Sequence, residues 1–339
     1  MRKILSRLII LIVGLIILLI PLNYLFANFN GRYTYRMLNE MYESDENIEI
    51  LFLGSSHTYR SYNPYMVTKM CGAKAFNAGS SSQLLDGSYF MLKEVAKTND
   101  IDTVYLDTYF SVLNSKSSKN DWSVYLLTDY AKQSMDKFLY LWNSGGVESL
   151  LDGYITVRRN YKNRNFINNL NSRKSEVGDY STITYENEAY LGDGFVYSYE
   201  VIDGAKVDFS RNIDLSGDRP TSDFADKWLI KIVDFCKEKG INLVFVDQPM
   251  PKELLNNVKG YDNYVEYMYK FSMMHNIPYM NFNCYKNGLD LGLENFKDTD
   301  HLNGTGAMKY TEVFCDTVNQ IKAGMEIEDL FYTEYLIGE

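Results

Sequence analysis

Ile48-Glu-Ile-Leu-Phe-Leu53-Gly54-Ser55-Ser56-His57 is the stretch that decides the fold. A short apolar run that stops at a glycine reads as a strand buried on both faces and ending in a tight turn. Four further runs have the same character: Ala73 to Asn77 ahead of Ala78-Gly79, Thr103 to Asp107, Leu243 to Asp247, and Pro278 to Asn281. Helical patterns lie between them at Leu84 to Ala96, Phe224 to Lys239, Tyr264 to Met274 and Ala307 to Ala323. In the second of these, Trp228, Ile232, Val233, Phe235 and Cys236 make the apolar face. Thr221 or Ser222 supplies its N-cap and Gly240 its stop. Strands alternating with helices predict an α/β protein with a parallel sheet covered on both faces.

The scheme is interrupted after the third strand. Ser111 to Pro220 is rich in Asn, Tyr, Ser and Gly, with helices expected near Val124 to Trp142 and a period-2 stretch from Gly194 to Tyr199. We read residues 111–221 as an insertion, expected over the carboxyl ends of the strands, where α/β sheets bind ligands.

Every residue from Leu8 to Ile20 is apolar or glycine, and the run continues almost to Ala27. About twenty helical residues cross a hydrocarbon core. Arg2, Lys3 and Arg7 precede the run with no acid, so the amino end is expected in the cytoplasm and the rest outside. Residues 1–27 are read as a signal anchor, 28–47 as a stalk, and 48–339 as the α/β domain. Cleavage as a signal peptide is the alternative, although Leu25-Phe26-Ala27 is a poor cleavage site. The whole chain holds 34 basic against 44 acidic residues, a net charge of -10. Without the three N-terminal cations the remainder is more acidic still, which argues against nucleic-acid partners. Cys71, Cys236, Cys284 and Cys315 have no CxxC spacing, so no zinc or thioredoxin-type motif is present.

Three places can carry chemistry. Ser55-Ser56 follows the first strand directly, where a hydroxyl is exposed at the top of the sheet and Gly54 relieves the bend. Asn77-Ala-Gly79 follows the second strand, where a glycine N–H can approach a developing oxyanion. Asp298-Thr-Asp-His301 precedes the last helix. An acid three residues before a histidine can hold Nδ1–H and leave Nε2 free as a base. Each of these alone is an ordinary turn. Only three histidines exist, however, and His57 and His301 both fall at loops that α/β winding brings to one sheet edge. His275, at a helix end, is assigned to structure.

These motifs resemble the SGNH (GDSL-like) hydrolase superfamily. The matches are Gly54-Ser55-Ser56 after the first strand, Gly79 in the second block and Asp298-x-x-His301 in the last, over roughly 48–110 and 224–321. With the signal anchor, Gly54-Ser55-Ser56-His57 and Asn63-Pro64, the chain is similar to membrane-anchored cell-surface members. Those include the protein needed for D-alanylation of teichoic acids and enzymes that transfer or remove O-acetyl groups on wall polysaccharides. The resemblance implies a doubly wound, flavodoxin-like sheet, with Ser56 as nucleophile, His301 as base and Asp298 as its orienter. Ser56 and Gly79 would supply oxyanion-hole donors. It also implies cell-wall or exported polysaccharide as substrate and a multi-pass membrane O-acyltransferase as a partner.

One departure stands out. The superfamily's third block offers an Asn to the oxyanion, whereas this chain reads Leu106-Asp107-Thr108-Tyr109. An ionised Asp107 would repel an oxyanion, which leaves Thr108, Asn77 or Gln83 as substitutes. His57 is expected to line the substrate entrance, and Asp300 to point away from His301 as its nearest neighbour. No cofactor is expected. A metal shell on Asp298, Asp300 and His301 is disfavoured because no second His or Cys cluster completes it. The readings that stay open are an acyl transferase, an esterase, and a degenerate SGNH-like module that binds glycan or a membrane partner. Glycoside hydrolysis by Asp298 with Asp300 is disfavoured, since neighbours on one turn cannot flank a sugar bond.

Overall fold

Each apolar run named above becomes a strand of one sheet. The structure is a computed structural model that describes residues 2–26, 32–119, 121–160, 183–185, 187–210 and 213–335. In chain order the strands are β1 (Ile50–Leu53), β2 (Ala75–Asn77), β3 (Thr103–Asp107), β4 (Ile183–Tyr185), β5 (Glu188–Tyr190), β6 (Val196–Ser198), β7 (Asn242–Asp247) and β8 (Tyr279–Asn281). Five of them form a wholly parallel sheet in the order β2-β1-β3-β7-β8, the doubly wound, flavodoxin-like arrangement. β4, β5 and β6 form a separate antiparallel sheet.

Alternation along the strands divides the core in two. Leu51, Leu53, Val104 and Leu106 join one cluster with the helices Asp223–Lys239 and Tyr261–His275. Ile50, Phe52, Tyr105 and Val246 join the other, with Tyr310, Phe314 and Val318 of the helix Gly304–Lys322. Successive side chains of a strand point to opposite faces, so a run apolar at every position needs both faces covered. Phe52 illustrates the packing: its ring stacks on Tyr62 at 4.1 Å and meets Phe314 edge-on at 5.6 Å.

The N-terminal helix α1 (Arg2–Phe26) is exposed from Lys3 to Leu18, and Lys3–Asn23 is long and apolar enough to cross a membrane. A buried core helix is thereby excluded. The next helix, α2 (Arg32–Glu43), corrects the stalk expected at 28–47. Met37, Leu38 and Met41 recur at helical spacing and are buried in the main core, and the Tyr190 hydroxyl donates to Glu40. Residues 27–31 lie outside the described residues.

The chain then runs through α3 (Ser56–Ser61), α4 (Pro64–Cys71), α5 (Leu85–Val95), α6 (Phe110–Leu113), α7 (Trp122–Thr128), α8 (Met135–Tyr154) and α9 (Thr156–Asn160). The insertion does not lie as one unit over the strand ends. Its helix α8 packs beside the sheet on α5, where Tyr140 stacks on Phe90 at 4.9 Å, and α7 packs on α8 and α2. Its strands do reach the carboxyl edge: the Asn77 N–H donates to Asp193 O at 2.9 Å. Gly194, with φ +83°, approaches the Asn77 carbonyl more closely than any Cβ could. Beyond the last long helix, Phe331 buries its ring against Phe282 and Tyr285, so the tail from Glu326 begins packed. All four cysteines are free thiols.

Candidate active site

Ser56 opens α3 directly after β1. Ser55 is the N-cap, its Oγ accepting the His57 N–H at 3.4 Å, and Gly54 passes so close to Thr58 and Asp107 that no Cβ fits there. The Ser56 N–H, in the first turn, has no intrahelical acceptor.

His301 arrives from the other end of the chain. Lys297 N–H donates to His301 O at 3.0 Å, closing the Asp298–His301 turn, and Asn303 caps the helix that follows. Asp298 Oδ1 accepts the backbone N–H of Asp300 at 3.2 Å and of His301 at 2.9 Å. The same oxygen lies 2.8 Å from His301 Nδ1, and His301 Nε2 lies 2.7 Å from Ser56 Oγ. With Nδ1–H donating to the carboxylate, Nε2 is the lone-pair nitrogen and accepts the Ser56 hydroxyl proton.

Asp300 does not point away, as its position in the turn suggested. Its Oδ1 is 3.1 Å from the same Nδ1, and the Tyr109 hydroxyl donates to its Oδ2 at 3.0 Å. Asp300 is also the less exposed of the two carboxylates, at 13% against 41% for Asp298. Burial alone would push His301 down, but the hydrogen bonds and charges of Asp298 and Asp300 outweigh it and hold His301 above its ordinary value. Burial would raise Asp298 in turn, and its hydrogen bond to His301 brings it below the usual carboxylate range.

His57 is not at an entrance. Its ring is buried beneath His301, stacked at 4.4 Å, and packs on Tyr109 at 4.0 Å. Burial, and then the neighbouring His301, push it down to about 3, so it is neutral. Its Nδ1 lies 3.2 Å from Ser55 Oγ, while its buried Nε2, 4.0 Å from Asp300 Oδ2, has no hydrogen-bond partner among the described residues. His57, Asp300 and His301 form a group that could hold a metal ion, but in this arrangement His301 already faces Ser56 and the two acids.

The expected oxyanion donors fare unevenly. Gly79 lies against Ser55, an added Cβ falling 2.9 Å from its carbonyl oxygen, but the Gly79 N–H donates to Asn77 Oδ1 at 3.1 Å. Asn77 Nδ2 donates to Thr58 O at 2.8 Å, so that side chain braces α3. Gln83 is tied to Ser80 and Ser88, and the Thr108 hydroxyl donates to Asp247 at 2.7 Å. None of these three therefore replaces the missing Asn. Asp107 lies behind Ser55, accepting its hydroxyl at 3.3 Å. Burial and then Asp247 push Asp107 up to about 7.

Sequence reasoning missed Tyr109 and Arg60. Arg60, one turn after Ser56 on α3, is buried and donates to Glu188 of the insertion at 2.6 Å. Lys297 reaches the same carboxylate at 2.8 Å. Arg60's spacing from Ser56 was visible in the chain, but its partner was not.

No family model and no curated protein matches this chain. Two solved structures are similar to it. One is a candidate acylhydrolase from Bacteroides fragilis, 10% identical over 84% of this chain and 95% of that one, with a TM-score of 0.40. The other is a GDSL-like lipase from Bacteroides thetaiotaomicron, 11% identical over 90% and 98%, with a TM-score of 0.39. At these values residue roles rest on the distances above.

A cavity of about 320 Å³ is lined by the loops at Pro249–Leu255 and Phe282–Phe296 and holds none of the Ser56, Asp298 and His301 side chains. A much smaller one, about 30 Å³, is lined by Tyr59, Gly79, Ser81 and Gly194. Gly79 brings it near the candidate site, but Ser56, Asp298 and His301 do not line it.

Proposed function

We propose that this protein is a membrane-anchored, SGNH-type serine enzyme that transfers or hydrolyses a small acyl group, its body outside the cell. The observation that carries the reading is the Ser56 Oγ to His301 Nε2 hydrogen bond of 2.7 Å across 245 residues, with Asp298 behind the imidazole. Ser56 Oγ attacks the ester carbonyl carbon while His301 Nε2 takes its proton. The imidazolium is held by Asp298 and Asp300. As the tetrahedral intermediate collapses, the leaving alkoxide takes that proton back, and an acyl-Ser56 ester remains. Water or a polymer hydroxyl, deprotonated by His301, then attacks that ester and releases Ser56.

The span at Lys3–Asn23 favours an acceptor near the membrane, in the class of wall or exported polysaccharide, and partnership with a multi-pass acyl-transfer protein. A fluorophosphonate probe should label the wild-type chain and leave Ser56→Ala unlabelled. Acetylated glycan then separates the outcomes: free acetate alone marks an esterase, and acetate appearing on an added polymer marks a transferase.

One observation supports the alternative of a degenerate binding module. With Gly79 bonded to Asn77 and no Asn after β3, the Ser56 N–H is the one expected donor left open. Loss of a single such donor costs on the order of 10²–10³ in rate. A wild-type chain that binds polymer yet resists the probe would establish that alternative.

A further inference from the structure

We propose that the outward face of α8 rests on the surface of the bilayer that α1 crosses. The helix Asp223–Lys239 shows what an ordinary solvated face looks like in this molecule: of its seven exposed positions only Ile230 is apolar. α8 reverses that balance. Its exposed positions are Met135, Phe138, Leu139, Trp142, Asn143, Val147, Glu148 and Leu151, and six of the eight are apolar. Met135 is 69% exposed and Val147 61%, while Phe138, Leu139, Trp142 and Leu151 are between 39% and 48% exposed. Gly145 and Gly146 break the helix between the two groups. Met135, Phe138, Leu139 and Trp142, spaced i, i+3, i+4 and i+7, share one helix face, and an exposed apolar face marks something that covers it.

The covering surface is indicated by what α8 is joined to. The membrane-spanning stretch ends at Asn23, whose Nδ2 donates to Tyr154 O, the last residue of α8, at 2.6 Å. Thr156 Oγ1 donates to Asn23 O at 2.8 Å, and Asn160 Nδ2 to Phe26 O at 2.8 Å. Three hydrogen bonds therefore fix the end of α8 and all of α9 to the point where α1 leaves the hydrocarbon. A bilayer around α1 has its headgroup layer at that level. A helix with Trp, Phe, Leu and Met on one face and a packed opposite face suits that layer, its apolar side sinking roughly 5–10 Å into the boundary. Tryptophan is favoured there because its ring is apolar and its N–H stays hydrated. This reading rests on the span and not on the chemistry of Ser56, so either stands if the other fails.

The test uses the full chain in phosphatidylcholine vesicles at high lipid-to-protein ratio. Trp142 emission is isolated as the difference between Trp122→Phe and Trp122→Phe/Trp142→Phe, with buried Trp228 as common background. Lipid brominated near the headgroup end of its chains should remove most of the Trp142 emission, and aqueous iodide should remove little. Phe138→Glu/Leu139→Glu should reverse that pattern while α1 keeps the protein in the vesicle pellet. Trp142 open to iodide and untouched by bromolipid would overturn the proposal. So would Trp142 shielded from both quenchers, which would mean that a second copy covers the face.

Discussion

At the ends of β3 and β7, Asp107 and Asp247 are each 2% exposed; across the same edge, Asp298 and Asp300 flank His301. Asp247 accepts from Thr108 Oγ1 at 2.7 Å and from the Tyr279 hydroxyl at 2.6 Å, and among the described residues no cation pairs with it. Burial pushes it up to about 6. Asp298 faces an imidazole instead and is held low. The two pairs share residue type, one at strand ends and the other in the turn before the helix Gly304–Lys322, and they differ in what meets them. A buried acid surrounded by hydroxyls becomes a protonatable strut, while an acid beside a base that itself faces a nucleophile becomes part of a proton path.

Removing the proton path should have the largest effect. Ser56→Ala and His301→Ala should each lower kcat for an aryl acetate by on the order of 10⁶, the scale seen when members of such a unit are deleted. Asp107→Asn should leave the probe reaction in place, and equal losses at both sites would erase the contrast.

Next comes the acid pair itself. Replacing a lone triad carboxylate by its amide costs about 10⁴ in kcat. Because Asp300 shares Nδ1–H, Asp298→Asn should cost less than that, and Asp298→Asn/Asp300→Asn should cost more than either single change. A double variant no worse than Asp298→Asn would remove Asp300 from the site.

The pH profile offers a finer cut. His301 must be neutral to accept a proton, and its two acids hold it above the ordinary histidine value of about 6.5. The rate should therefore rise with pH through a value above about 6.5. Asp300→Asn should shift that limb to lower pH, and a limb that stays put or moves upward would contradict the assignment.

The smallest effect concerns the strut. Asp247 is raised in the folded chain, to about 6, above its unfolded value of about 3.9. The folded state therefore binds the proton more tightly, and the stability this adds is present below about pH 4 and lost as pH rises through about 6. Between these values the wild-type Tm should fall more steeply than that of Asp247→Asn. Parallel slopes would mean that the carboxyl is not raised.

Which residues form the five parallel strands, roughly where those strands stop, and that Asp298 and His301 share a turn were legible in the chain, because each depends on a few neighbours, whereas β4 and β5 of the insertion were not read from it. Apolar runs closed by Gly, Asn or Asp need no distant information, and Asp298 holds the turn through the backbone N–H groups of Asp300 and His301, two and three residues away. The apolar start of α1 was equally plain. Tertiary structure alone decided the rest. Tyr109 arrives from β3 and takes Asp300 Oδ2, turning toward His301 a side chain that looked outward in sequence. Asn77 takes up the Gly79 N–H, a bond that spacing did not reveal. Residues 28–47 looked polar enough for a stalk, yet three apolar side chains of α2 found a core built from other elements. The meeting of Ser56 with His301 belongs to the same class, since the sheet's winding and not the local sequence brings those loops to one edge.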